Sequence, residues 1–253
     1  HCLKRNNKMI GKFLYEGKAK KIFQYDEDKV KLEFKDDATA GNRAKFAQFA
    51  GKGELNCDIS ATMFKELHKY NVATHFIEKL NDTAHICQQV TIIPIEVIVR
   101  NIAAGTFCKK LGVEVGTELK NTVIEFCVKD DDLNDPIIVE DAITALGITD
   151  KLTLHYLRKE STHINELLTY IFAKCGLKLV DFKLEFGLTP NGTILLADEI
   201  CPDTMRLWNR KNESFDKDLF RNDSGDLLVG YREVQRLLAE NLTERGINEP
   251  TAI

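Results

Sequence analysis

Asp181, Lys183 and Glu185 take alternate positions in Asp181-Phe182-Lys183-Leu184-Glu185-Phe186-Gly187, and Asp198 and Glu199 end the apolar run at residues 194–199. Period-two alternation is the strand signature, and Thr189-Pro190-Asn191-Gly192 between the runs reads as a hairpin turn. One strand face then carries Asp181, Lys183 and Glu185, and the other carries Val180, Phe182, Leu184 and Phe186. If Leu188 pairs with Thr193, Lys183 faces Asp198, and Glu185 sits one diagonal away, roughly 7–8 Å between Cα positions. A bulge beside Gly192 would displace that pairing by one residue. Three carboxylates around one lysine suit a hard cation and a phosphorylated substrate. Such a mixed-charge face is either simply solvated or, since the opposite face is strongly apolar, free to line a cleft.

Three further stretches carry chemistry. Gly17-Lys18-Ala19-Lys20 places two ammonium groups on one face of an extended segment, with Gly17 allowing close approach to an anion. They form either a triphosphate grip or an ordinary surface pair. The stretch is no P-loop, because five residues separate Gly11 from Gly17 and Ala19 stands where a Ser or Thr would bind magnesium. Gly51-Lys52-Gly53 is no dinucleotide fingerprint either, since Asn56 replaces the third glycine. Arg100 ends an apolar run before Asn101-Ile102-Ala103-Ala104-Gly105-Thr106, a position suited to gripping carboxylate or phosphate, or to a structural salt bridge. In Pro202-Asp203-Thr204-Met205-Arg206-Leu207-Trp208, Asp203 and Arg206 lie within a loop's reach of the acidic strand end. Trp208, the one tryptophan, reads as a packing anchor.

The elements that must position these residues follow from local pattern. Residues 13–34 read as a β-meander, with strands over 20–25 and 30–34 around a polar turn at 26–29. Residues 36–41 read as a loop, and Asp58 as the N-cap of a helix running to Tyr70. Strands are expected over 74–77, 84–89 and 92–100, the last with Pro94 near its start. An acidic loop spans 130–136, and helices are expected over 140–146, 150–175 and 227–245, with Gly176 closing the second. Early strands, then helices with a second sheet, argue for an α+β fold of two lobes rather than regular βαβ alternation. The expected division is residues 10–88 and 89–253, with the boundary near 88–90.

The 253 residues allow one large domain or two modest ones, and 43% hydrophobic with 29% charged content is ordinary for a globular chain. A net charge of −4 gives no nucleic-acid footprint, and no apolar run approaches the roughly 18–20 residues of a membrane span. The start, residues 1–8, is basic, lacks a secretory apolar stretch and opens on His, so it reads as a processed or added end. Seven scattered cysteines without a C-x-x-C pair point to reduced thiols in a cytoplasmic protein and argue against zinc.

Four motifs resemble, in chain order, those of the phosphoribosylaminoimidazole-succinocarboxamide (SAICAR) synthase family. They are Tyr15-Glu16-Gly17-Lys18-Ala19-Lys20, the stretch from Ile92-Ile93-Pro94-Ile95-Glu96 through Arg100 to Thr106, the run at 179–187, and the stretch at 202–208. The similarity spans residues 14 to about 238. Thr106 stands where the family usually has Ser, and Thr204-Met205 replace its common Gly-Ser.

The resemblance implies an N-terminal antiparallel β-lobe and a larger α+β lobe, with ATP in the cleft between them. It also implies an ATP-dependent ligase of purine biosynthesis joining L-aspartate to a carboxyaminoimidazole ribonucleotide. A carboxylate is a poor acyl donor, so ATP must first convert it to an acyl phosphate, and such chemistry is mostly positioning and charge neutralisation. Expected roles are Glu185 and Asp198 for Mg2+, and Gly17, Lys18 and Lys20 for ATP. Lys183 is expected at the reacting carboxylate, with Asp181 near the metal or the attacking amine. Arg100, Thr106, Asp203 and Arg206 are expected to hold ribonucleotide or aspartate. Lys129, Asp135, Lys217 and Arg221 are assigned to substrate by resemblance alone, which also implies a homodimer. A small-molecule kinase and a non-catalytic nucleotide-binding regulator are the alternatives. A protein kinase is disfavoured, since neither His-Arg-Asp nor Asp-Phe-Gly occurs.

Overall fold

In the computed structural model, which describes residues 11–41 and 43–242, two antiparallel sheets face each other across a cleft. The chain begins with β1 (Phe13–Glu16), β2 (Lys20–Gln24) and β3 (Lys29–Phe34), then a small hairpin of β4 (Asp37–Ala40) and β5 (Lys45–Gln48). Helix α1 (Lys52–Lys69), β6 (Phe76–Asn81) and β7 (Ala84–Gln88) follow. The first sheet has the order β1-β2-β3-β7-β6. Next come β8 (Thr91–Ile102), α2 (Gly105–Leu111), β9 (Glu118–Val128), β10 (Ile137–Ile138), α3 (Glu140–Ala145) and α4 (Lys151–Lys174). The chain continues through β11 (Lys178–Leu188), β12 (Ile194–Ala197), β13 (Met205–Trp208), α5 (Asp218–Arg221) and α6 (Leu227–Leu242). The second sheet has the order β10-β9-β8-β11-β12, with β13 also on β11. This is the α+β architecture that the order of elements in the sequence implies.

How two strands divide their faces explains why a cleft can form. Val97 and Val99 of β8 and Phe182, Leu184 and Phe186 of β11 are buried in the main core with Leu157, Ile164, Leu168 and Phe172 of α4. Each such side chain contributes roughly 1.5–3 kcal/mol by leaving water. The intervening residues Glu96, Ile98, Arg100, Asp181, Lys183 and Glu185 are thereby turned into the cleft. Pro94 sits where β8 slips against β11, between the pairs Glu185↔Glu96 and Gly187↔Ile92, so its missing N–H interrupts no regular ladder. Trp208 packs with Ala104 and Val180, as an anchor should.

Several elements depart from the sequence reading. Residues 36–41, read as a loop, contain β4, because pairing with β5 lets Ala38 become fully buried. Helix α1 starts at Lys52 after a left-handed Gly51, so Asp58 is not its N-cap; Asp58 instead accepts from Lys79 (2.9 Å) and Gln235 (2.7 Å). Gly53 is required there, since a Cβ would meet the Phe34 carbonyl oxygen at 2.8 Å. The strand expected at 74–77 runs over Phe76–Asn81, and β9 has no counterpart in the reading. The helix expected at 150–175 matches α4, with Asp150 accepting from the Thr153 amide and Gly176 at φ +72°. The basic start at 1–8, Cys2 and residues 243–245 of the expected last helix lie outside the described residues.

The 181–199 hairpin forms, but one residue out of the expected register. Leu188 pairs with Ile194 rather than Thr193, because Gly192 at φ +83° lengthens the turn, and Thr189 N donates to Thr193 O at 2.9 Å. That puts Ala197 opposite Glu185 and leaves Asp198 beyond the end of β12.

Candidate active site

A cleft of about 520 Å³ lies between the first sheet and the polar face of the second. Gly17, Lys18 and Lys20 line one wall, and Glu96, Lys183, Glu185 and Asp198 line the other. Lys18 spans the walls by donating to Asp131 at 2.6 Å.

Lys183 is the hub of the charged wall. Its Nζ lies 2.6 Å from Glu185 Oε1, 3.2 Å from Asp198 Oδ2 and 3.3 Å from Glu96 Oε1. Burial opposes its charge, but Glu185, Asp198 and Glu96 together hold the ammonium well above its ordinary value. Lys129 adds a second cation 2.9 Å from Glu185 Oε1; burial opposes its charge too, but Glu185 and Asp198 together raise it above its ordinary value. Lys20 donates to both Asp198 and Glu199. Burial would raise the Asp198 carboxyl, yet Lys20 and Lys183 press it far below the usual carboxylate range. Glu96 goes the other way, because burial outweighs Lys183. Carboxylates gathered this closely repel one another, and the lysines offset that repulsion.

Among the described residues, no group of three or more His, Cys, Asp and Glu is arranged to hold a metal ion unaided. Glu185 and Asp198 fit instead a hard cation that takes one or two carboxylates and completes its shell with water and phosphate.

Asp198 reaches this group by an unusual backbone. It sits at φ +61°, in the left-handed region that costs a non-glycine residue about 1–3 kcal/mol unless its surroundings hold it. The buried ring of His75 donates from Nε2 to the Asp198 carbonyl oxygen at 3.0 Å. The expected contact between Lys183 and Asp198 therefore exists, made by a turn rather than by strand pairing.

Asp181, expected beside the metal or the attacking amine, belongs to a second group. Arg100 Nη1 donates to its Oδ2 at 3.0 Å, and Arg206 Nη1 reaches the same oxygen at 2.8 Å. Glu125 also holds Arg100 and Asp218 also holds Arg206, so both guanidinium groups are fixed at the cleft wall. Gly105, at φ +59°, lies against Arg206, where a Cβ would come 2.9 Å from Cζ. Thr106 follows on the exposed first turn of α2 and is not among the cleft-lining residues.

A third group closes the far end. Asp203 accepts from Lys52, whose side chain is fully buried, and from the hydroxyl of fully buried Tyr231. Burial would raise its carboxyl, but Lys52 and Lys217 hold it well below its ordinary value. Lys217 lines the cleft nearby, its ammonium lowered by burial and by Lys52. Arg221 donates to Asp218 at 2.7 Å, Asp135 accepts the Asp130 amide at 3.0 Å, and both line the cleft.

The sequence reading omits Glu96, Lys52, His75 and Tyr231 from these groups. Glu96 is legible in the alternation Ile95-Glu96-Val97-Ile98-Val99-Arg100, which puts Glu96, Ile98 and Arg100 on one face. The other three carry no local signal, because their partners are remote in sequence.

Known proteins share this chain's sequence and fold. The SAICAR synthetase family model matches residues 13–238. The phosphoribosylaminoimidazole-succinocarboxamide synthase of Finegoldia magna is 54% identical over 223 residues, covering 87% of this chain and 96% of its own length. That of Anoxybacillus flavithermus is 50% identical over 227 residues, covering 88% and 95%. Among solved structures, the Ehrlichia chaffeensis enzyme superposes with a TM-score of 0.88 at 42% identity, covering 90% of this chain and 98% of that one. A SAICAR synthetase in complex with ADP gives 0.87 at 44% identity, covering 89% and 97%. A match to the family model from the first strand of the cleft into the last helix, with half the residues shared with such relatives, makes the chain a member of the SAICAR synthetase family.

Proposed function

We propose that the three charged groups of this cleft divide between them the reaction of the family. The chain joins L-aspartate to 5-amino-1-(5-phospho-D-ribosyl)imidazole-4-carboxylate using ATP, giving SAICAR, ADP and phosphate. The observation that carries this reading is the meeting in one cleft of the Lys18 and Lys20 wall, the Lys183 carboxylate cluster and the clamp of Arg100 and Arg206 on Asp181. A ligase of this kind needs a nucleotide end, a charge-neutralising centre and an anion-holding end.

In this reading the ribonucleotide carboxylate attacks the γ-phosphorus of ATP, ADP leaves, and the aspartate amine then displaces phosphate from the acyl phosphate. Gly17, Lys18 and Lys20 hold the ATP phosphates. Glu185 and Asp198 would hold Mg2+, which when bound would neutralise phosphate charge. Lys183, whose ammonium faces Glu96, Glu185 and Asp198, neutralises the reacting carboxylate. Arg100 and Arg206, oriented by Asp181, hold substrate anions, with Lys129, Asp135, Lys217 and Arg221 around them. Asp203 sets the charge beside Lys217. Thr106, exposed on the first turn of α2 and outside the cleft lining, is given no part in this reading.

The lobes in this reading meet at residues 88–90, where β7 ends one sheet and β8 begins the other. No helix among the described residues is long and apolar enough to cross a membrane. The six cysteines among the described residues are free and buried, which supports a reducing compartment, the cytoplasm. Family resemblance supports a homodimer, which sedimentation of the purified chain would read out.

The test is ADP release with ribonucleotide and aspartate supplied separately and together. Turnover that demands both is expected. Release independent of aspartate, as in a kinase, or no release at all would overturn the ligase reading.

A further inference from the structure

Among the described residues, Asp198 is the one non-glycine residue at positive φ whose side chain pairs with Lys183, and something must hold it there. Strand pairing does not, since β12 ends at Ala197. The surroundings come instead from the segment that leads into β6. His75 N donates to Leu196 O at 2.8 Å, Leu196 N donates to Ala73 O at 2.9 Å, and Thr74 pairs in parallel with Leu196. This pins the backbone just before the turn. At the turn itself the His75 ring, set edge-on to Phe64 with centroids 5.6 Å apart, donates from Nε2 to Asp198 O at 3.0 Å. A carbonyl oxygen can only accept, so the bond requires the proton on Nε2.

We infer that His75 is a positioning residue: its Nε2–H bond fixes the left-handed backbone of Asp198 and thereby aims that carboxylate at the metal–nucleotide end of the cleft. The inference rests on the assignment of Asp198 to Mg2+. Positioning partners behind metal-bearing side chains characteristically govern affinity without touching the ligand.

The test compares His75→Gln with His75→Met. The two side chains match in length, but only Gln carries a donor. Calorimetry reads the affinity of each variant for ADP with and without Mg2+. His75→Met should weaken Mg-ADP binding about 10–100-fold, the usual cost of losing an outer-shell partner, and leave metal-free ADP binding unchanged. His75→Gln should restore most of the affinity. Equal losses in the two variants, or no loss in His75→Met, would overturn the positioning role. If His75→Met does not fold, His75→Phe replaces it as the donor-free ring. Asp198→Asn separates the premises. If it keeps full Mg-ADP affinity, the metal assignment fails and the positioning role with it. If it loses affinity while His75→Met does not, only the positioning role fails.

Discussion

Lys183 and Asp181 stand two residues apart on one face of β11, yet they serve different charge systems. Lys183 joins Glu96, Glu185 and Asp198, while Asp181 is clamped by Arg100 and Arg206. Their removal should therefore fail in different ways. Lys183→Met should lower kcat by about 100–1000-fold, the scale of one lost electrostatic stabiliser, with the ribonucleotide KM little changed. Asp181→Asn should mainly raise the ribonucleotide KM, because it loosens two arginines. Steady-state kinetics on both variants checks the split, and identical signatures would contradict it.

Glu185→Gln keeps the shape of the side chain but removes one of the two carboxylates assigned to Mg2+. The variant should stay folded by circular dichroism and lose magnesium-dependent turnover. Near-normal activity would refute the assignment.

The buried pair of Lys52 and Asp203 makes a stability prediction. Lys52→Met strands a buried carboxylate and should cost about 3–5 kcal/mol in urea unfolding. Tyr231→Phe removes one hydrogen bond to the same group and should cost about 1–3 kcal/mol. Because both changes act on Asp203, their combination should fall short of additive.

Acid sensitivity follows from two buried histidines. Burial pushes His75 down to about 3 and His85 down to about 4, so both stay neutral in the fold while the unfolded chain binds protons near the ordinary 6.5. Below that value the unfolded state holds more protons, and stability is lost as pH falls from 6.5 toward 4. Each histidine contributes a slope of about 1.4 kcal/mol per pH unit in that window. Urea unfolding across mildly acidic pH measures it, and His85→Gln should remove one of the two contributions.

What is legible in the sequence is what local periodicity controls. The polar face at 181–185 and the helix over 150–175 follow from residues close in sequence. The hairpin register does not, since one left-handed glycine shifts every pair. Nor does the start of α1, where Lys52 is drawn into the interior by Asp203, 151 residues away. Glu96 is legible by the same alternation that reveals Lys183, but the isoleucines and valines around it make that strand read as a plain buried one.

The parallel bridge between Thr74 and Leu196 also constrains how the two halves can part. It staples the lead-in of β6 to the second sheet beside Asp198, so that end behaves as the spine of a book. The fore-edge is β1, whose four residues are all exposed and whose Leu14 and Tyr15 line the cleft. The two edges are thus clasped by different bonds: backbone pairing at the spine, and toward the fore-edge the side chains of Lys18 on Asp131 and Lys20 on Asp198 and Glu199.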